Sequence, residues 1–298
     1  LQAHKPPVFL NLIDEVMTSE REVRAVKYKD YAYRHNPSSA SFKKQDGTVI
    51  GSCMRQLWYK ATKVKESNAT DSASFLKMGF GDAIHDWFMR KLQKSKKITL
   101  LPEVGGRVLM DPLTREISFR VDGLATHRSE LGGFELKTTQ GMALSWMKKA
   151  GKGPKEDHLL QILSYFGTNE AIQWYSLVYV ARDSAFKMEF HITKEDDGYY
   201  FQSVFPNGPK TKIPELSFQG IVSRWVTLES YVKSEIMPPR DYKIVFNDSG
   251  EIVPNRVKKG VRYRSDWRCL YCSFKDLCWS QPDAKKEAYS VNGGLWNG

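Results

Sequence analysis

The sequence predicts a mixed α/β protein in which helices cover a sheet. Two pairs of segments alternate apolar with polar residues, at 116–126 and 134–139 and again at 173–180 and 186–192. Helical patterns stand before and between them, at 74–88 and 156–167. The resulting order, helix, strands, helix, strand, is that of a sheet bridged by helices.

Composition agrees. The chain has 298 residues, 41% of them hydrophobic, with 8 Trp, 14 Tyr and 15 Phe, enough to build a sizeable core. A formal charge of +11 favours polyanionic partners, nucleic acid first. No apolar run is long enough to span a bilayer, so a membrane role is not expected. Without signal-peptide anatomy, an intracellular, non-secreted protein is the expectation.

The first helix carries a stripe of Leu76, Phe80, Ala83, Ile84, Trp87 and Phe88, which predicts a core-facing surface. His85 lies at the edge of that stripe, and such a histidine is ordinarily structural. Gly81, one turn earlier, permits close packing. Gly79-x-Gly81 is not a phosphate loop, because no strand precedes it and no Gly-Lys-Ser/Thr follows.

In the strand pair, residues 129–133 read as the turn. Period two puts Glu135 and Lys137 on one face and Phe134 and Leu136 on the other. An isolated Glu-x-Lys is ordinarily a solvated strand face. Here a hairpin brings Asp122, 13 positions upstream, beside Glu135. Two close carboxylates repel unless a cation sits between them, and hard oxygen ligands favour magnesium or manganese. Lys137 is then placed to hold a water or a phosphate oxygen, which is the equipment of phosphodiester hydrolysis. Glu103, ahead of these strands, is a further candidate for the metal's shell.

The second helix is expected to close at Gly167. Gln161 and Tyr165 are four apart and share its face; alone they would be a core pair.

All four cysteines belong to one pattern: Cys53, then Cys269-x2-Cys272-x5-Cys278. In a reducing compartment this reads as four thiolates on one metal centre, with Trp267, Tyr271, Phe274 and Trp279 as its apolar shell. Spacing does not separate zinc from an iron–sulfur cluster.

The ordered set Ser52-Cys53-Met54-Arg55-x-x-Trp58-Tyr59, Gly81-x-x-x-His85, Asp122-Gly123, Glu135-x-Lys137, Gln161-x-x-x-Tyr165 and the cysteine trio resembles the PD-(D/E)XK nucleases. It resembles specifically the RecB-like branch with a four-cysteine iron–sulfur cluster, which includes CRISPR-adaptation nucleases and helicase-associated nuclease domains. The resemblance implies a restriction-endonuclease-like core, with N- and C-terminal segments joined at a metal cluster. It implies that His85, Asp122, Glu135 and the Leu136 carbonyl hold the catalytic cation. It implies that Lys137 orients the attacking water, and that Gln161 and Tyr165 contact DNA or buttress the site. Cys53, Cys269, Cys272 and Cys278 would hold a [4Fe–4S] cluster, with zinc as the alternative occupant.

Boundaries are expected at 1–50 (N-terminal extension), 51–200 (nuclease core), 201–266 (helical or loop insertion), 267–285 (cysteine segment) and 286–298 (flexible tail). Basic stretches at 146–155 and 256–264 are candidate DNA contacts through Lys148, Lys149, Lys152, Arg262 and Tyr263. Arg55, Trp58 and Tyr59 are further candidates. The expected activity is a metal-dependent DNA exonuclease on single-stranded or frayed ends, in the company of a helicase or recombination partner. The rivals are a non-catalytic DNA-binding scaffold with this fold and a zinc-ribbon nucleic-acid binder.

Overall fold

A computed structural model describes residues 19–20, 32–68, 72–127, 129–149, 153–184, 186–247, 251–253, 265–281, 284 and 289–290. Its centre is a seven-stranded sheet of β3 (Thr99–Val108), β4 (Ile117–His127), β5 (Glu130–Thr139), β6 (Ile172–Ala181), β7 (Lys187–Glu195), β8 (Gly198–Phe205) and β9 (Asn207–Lys212). The strands lie in chain order. Every pair is antiparallel except β5 and β6. A parallel pair needs a long crossover, and α3 (Gly141–Lys149) and α4 (Glu156–Thr168) supply it. A long helix, α2 (Ser72–Leu92), precedes β3. Helix, three-stranded meander, helical crossover and parallel fourth strand together make a restriction-endonuclease-like α/β core.

The sheet does not stop at residue 200. β8 and β9 extend it, so residues 198–212 are strands rather than a helical or loop insertion. Helix α5 (Phe218–Lys233) follows, capped by the Ser217 hydroxyl accepting from Gly220 N–H at 3.1 Å.

The main core lies between α4, α5 and one face of the sheet. Leu160, Ile162, Leu163 and Phe166 of α4 pack on Tyr175, Leu177, Tyr179, Phe190 and Ile192, with Trp225 of α5 behind them. Each such side chain contributes ~1.5–3 kcal/mol by burial. Gly167 does not close α4. The helix runs one residue further, to a C-cap at Asn169, and Gly167 instead makes room for Phe218, which would stand 2.1 Å from a Cβ there.

On the other face, Phe134, Leu136 and Val180 meet Met89, Ile84 and Phe88 of α2. The expected core stripe of that helix is corrected here. Leu76, Phe80, Ala83 and Trp87 are exposed, and only Ile84 and Phe88 of the six pack inward. The helix lies across one margin of the sheet, which covers a single narrow side of it. The expected turn at 129–133 also shrinks, since the strand already begins at Glu130 and Gly132 and Gly133 sit under the Trp174 and Tyr175 rings.

Before the core, β1 (Ser41–Lys43) and β2 (Val49–Gly51) form a hairpin leading into α1 (Met54–Ala61). After it come α6 (Trp267–Leu270) and α7 (Lys275–Trp279). These distant segments are tied together. Asp157 of α4 accepts from Gly51 N–H at 3.1 Å and pairs with Arg268 at 3.0 Å. Tyr242 OH donates to Gly51 O at 2.7 Å, and Asp241 accepts from Met54 N–H at 2.6 Å.

Candidate active site

Strands β4 and β5 pair only from Gly123↔Phe134 to His127↔Glu130. Beyond Gly123 the ladder ends, and the Asp122 carboxylate takes the Leu136 N–H at 2.7 Å in place of a strand partner. This parting opens a cleft of about 1080 Å³ on the β4–β5 surface, with α2 along its other side. Gly81 lets that helix approach, since a Cβ there would stand 3.2 Å from Thr138 Oγ1. His85 thereby reaches the cleft, with Nε2 3.2 Å from Asp122 Oδ2. The contact lacks hydrogen-bond geometry, so the two atoms stand side by side as potential ligands. The Asp122 carboxylate nonetheless holds the imidazole above its usual range, against the opposing effect of burial.

Glu135 is 2% exposed. Burial pushes its carboxyl up to about 7, against the lowering effect of Lys137. Its Oε1 receives Lys137 Nζ at 2.6 Å and Gln161 Nε2 at 2.8 Å. Its Oε2 is buried with no hydrogen-bond partner among the described residues, which is costly for a carboxylate unless a cation or a proton serves it.

Gln161 closes the network from behind. Its Oε1 accepts from Lys137 Nζ at 2.8 Å, and its Nε2 also donates to Tyr165 OH at 2.7 Å. Tyr165 OH in turn donates to the Arg120 carbonyl at 2.8 Å. Both residues are buried, at 7% and 2% exposed. Gln161 thus hydrogen-bonds both Glu135 and Lys137, and Tyr165 in turn hydrogen-bonds Gln161.

The cleft also contains groups less legible in the sequence. Glu103 lies in β3 with a left-handed backbone, φ +48°, and faces the same space. A non-glycine residue held there is strained, and such strain collects at functional sites. Asp82 and Asp86 flank His85 on α2, while Lys77 and Arg182 form a cationic margin. Arg182 Nη1 donates to Lys77 O at 3.1 Å, tying the β6–β7 turn to the helix. Of these groups the sequence singles out Glu103, and the spacing of Asp82 from His85, three residues on one helix, places those two on a shared side.

No family model and no curated protein sequence matches the chain. Solved structures overlap it at low identity. The crystal structure of SSO0001 is 15% identical with a TM-score of 0.46, over 89% of this chain and 96% of that one. An alkaline exonuclease, LHK-Exo from Laribacter hongkongensis, is 17% identical with a TM-score of 0.38, over 61% of this chain and 78% of that one. The same exonuclease in complex with dAMP is 15% identical with a TM-score of 0.39, over the same shares.

The cysteines, all free, come together as the spacing suggests: Cys53, Cys269, Cys272 and Cys278 line one small cavity, with Tyr59, Arg240, Tyr242 and Trp279 around it. Cys53 stands at the N-terminus of α1. Arg240 Nε lies 3.3 Å from Cys278 Sγ, and Phe274 N–H lies 3.4 Å from Cys272 Sγ. Burial pushes the Cys53, Cys269 and Cys272 thiols up, Cys272 to about 11. Of the expected aromatic shell, Phe274 is buried, whereas Tyr271 is 75% exposed and Trp267 carries Arg268 on its ring at 4.8 Å. Among the described residues, no three His, Cys, Asp or Glu side chains already surround a common point at ligand distance, here or in the cleft.

Several expected DNA contacts lie elsewhere. Arg55 is 3% exposed, and its Nε donates to Pro238 O at 2.7 Å, so it serves packing. Tyr59 is buried against Phe274, and Trp58 Nε1 donates to Tyr231 O at 3.4 Å. The Tyr59 ring is thereby closed to stacking, and Trp58 is half-buried. Lys148 and Lys149 are exposed at the end of α3 but do not line the cleft. Lys152, Arg262 and Tyr263 lie outside the described residues.

Proposed function

We propose that the chain is a divalent-metal-dependent deoxyribonuclease, an exonuclease that hydrolyses phosphodiesters at single-stranded or frayed DNA ends. One observation carries this reading: the buried Glu135 carboxylate, with one oxygen unpartnered, stands in a cleft beside Asp122, His85 and Lys137. The donor set fits a hard divalent cation, since two carboxylates and an imidazole share the cleft and one carboxylate oxygen has no other partner among the described residues. His85, Asp122, Glu135 and the Leu136 carbonyl would hold magnesium or manganese. Such a cation lowers the pKa of water and offsets the charge that develops on phosphate.

The remaining steps belong to this chain's own side chains. Lys137 would orient water or a phosphate oxygen, its position held by Gln161 and Glu135. Tyr165 and Gln161 keep that lysine from rotating into solvent. Lys77 and Arg182 give the cleft a cationic margin suited to a phosphate backbone. The sheet core beneath them provides the rigid frame that such positioning needs.

The cysteine cavity supports a second element of the reading, a [4Fe–4S] clasp with zinc as the alternative occupant. Four sulfurs, two of them approached by N–H donors and all backed by aromatic rings, suit a soft metal centre. Anaerobic purification separates the two: brown protein containing iron and sulfide supports the cluster, whereas colourless protein with stoichiometric zinc replaces it.

The nuclease reading is tested with end-labelled DNA in magnesium or manganese. Degradation that is abolished by Asp122→Ala and by Lys137→Ala is the expected result. Full activity in both variants would overturn the assignment. Tight binding without cleavage would instead select the scaffold alternative, and circular against 5′- and 3′-blocked linear strands would define end dependence.

A further inference from the structure

Helix α2 has a second functional-looking surface, away from the cleft. Trp87, Arg90 and Lys91 recur at i, i+3 and i+4 and share one face. The chain continues in helical register past Leu92, with Gln93 N–H donating to Met89 O at 3.0 Å and Lys94 N–H to Lys91 O at 3.2 Å. Trp87, Arg90, Lys91, Gln93 and Lys94 thus line one open groove of about 380 Å³. Trp87 is 51% exposed, with Lys91 Nζ 5.5 Å from its ring centroid. Lys96 and Lys97 follow, and residues 87–97 contain no Asp or Glu.

Two ordinary explanations leave part of this unaccounted for. Cations in a last helical turn favour the helix dipole, but that explains Arg90 and Lys91 and not the lysines beyond. A large apolar residue on a helix normally faces the core, yet Ile84, Phe88 and Met89 already do so. An exposed indole bordered by a guanidinium, two ammonium groups and an amide matches what an unpaired nucleotide presents, a flat π-face between phosphates. Charge complementarity favours a polyanion over an ordinary protein partner.

We propose that this groove is an accessory site for single-stranded nucleic acid, in which Trp87 stacks on a base while Arg90, Lys91 and Lys94 neutralise flanking phosphates. On a helix, Trp87 lies about 200° round from His85. A strand whose end occupies the cleft therefore crosses α2 to reach the groove. The site would hold the body of a substrate strand, and in that use it rests on the nuclease reading.

The test measures anisotropy of a fluorescent 20-nucleotide single strand in EDTA, with the full chain and three variants. Trp87→Ala is expected to weaken binding about ten-fold, and Trp87→Phe, which keeps a stacking ring, to stay near wild type. Arg90→Ala/Lys91→Ala/Lys94→Ala is expected to reduce the logarithmic salt slope by about 2. Bis-p-nitrophenyl phosphate, too small to span both sites, should be hydrolysed by all of them at the wild-type rate. Unchanged affinity and salt slope in the alanine variants would overturn the proposal. So would an acidic peptide that binds as tightly as the oligonucleotide with the same dependence on Trp87. If the wild-type chain cleaves neither substrate while strand binding still depends on Trp87, the nuclease reading falls and the groove stands.

Discussion

Gln161 holds Lys137 from behind: its Oε1 accepts from Lys137 Nζ at 2.8 Å, while its Nε2 donates to the Glu135 oxygen that the same lysine engages. A buried amide thus fixes an amine and a carboxylate with one side chain. Gln161→Leu keeps the volume and removes both bonds. We expect kcat for DNA cleavage to fall ~10–100-fold with little change in KM, since misplacement by an ångström has that scale. Wild-type kcat in this variant would show that Lys137 is positioned by something else.

Tyr165→Phe leaves the Arg120 carbonyl without the donor that the hydroxyl supplies, and Gln161 Nε2 without one of its acceptors. Unsatisfied buried polar groups cost about 1–3 kcal/mol. Denaturant unfolding should show a loss in that range, with activity reduced several-fold. A variant as stable and as active as the parent would exclude the buttressing role.

Gly167→Ala places a methyl group against the Phe218 ring in the tightest part of the α4–α5 contact. Overpacking of this kind costs ~1–3 kcal/mol. The midpoint of chemical unfolding should fall accordingly, with no effect on metal-dependent rate constants beyond that loss. Unchanged stability would mean that Phe218 turns away freely.

His158 provides a pH dependence of its own. Its Nδ1 lies 2.8 Å from Tyr179 OH, which also accepts from Lys155 N–H at 3.2 Å. Burial, then the charges of Lys137 and Lys155, push its pKa down to about 3. The unfolded chain takes up this proton near pH 6.5, whereas the folded one refuses it until about 3. This contribution to stability is therefore complete above pH 6.5 and declines as pH falls, by up to ~1.4 kcal/mol per unit. His158→Gln should flatten that part of the stability curve. A parallel, merely displaced curve would argue against it.

The cysteine cavity joins α1 to α6 and α7, so metal there should stabilise the whole domain. A strong chelator is expected to lower the melting temperature of the parent chain but not that of Cys53→Ser. If the isolated protein holds neither iron nor zinc and the chelator changes nothing, the clasp does not exist.

Much of this arrangement is legible in the sequence. The strands at 173–180 and 186–192 and the inward pair Phe134 and Leu136 follow from alternation alone, and the strand ends are observed within three residues of those bounds. Alternation is local, because each residue's face depends only on its neighbour's. The outer face of α2 is not legible. Leu76, Phe80, Ala83 and Trp87 carry a core-like period, but the period says only that residues share a face, not that anything covers it.

By itself the sequence determined the α/β order, the shared face of Glu135 and Lys137, and the grouping of Cys269, Cys272 and Cys278. Each of these is a matter of short-range spacing. Tertiary structure alone decided that β4 and β5 part at Asp122, that Gly81 brings His85 to the cleft, and that Gln161 and Tyr165 are buried rather than open to a ligand. It also decided that Arg182 shares the cleft with them. Those outcomes depend on which surfaces the sheet and α2 leave uncovered, and burial is a property of the assembled elements rather than of any one of them.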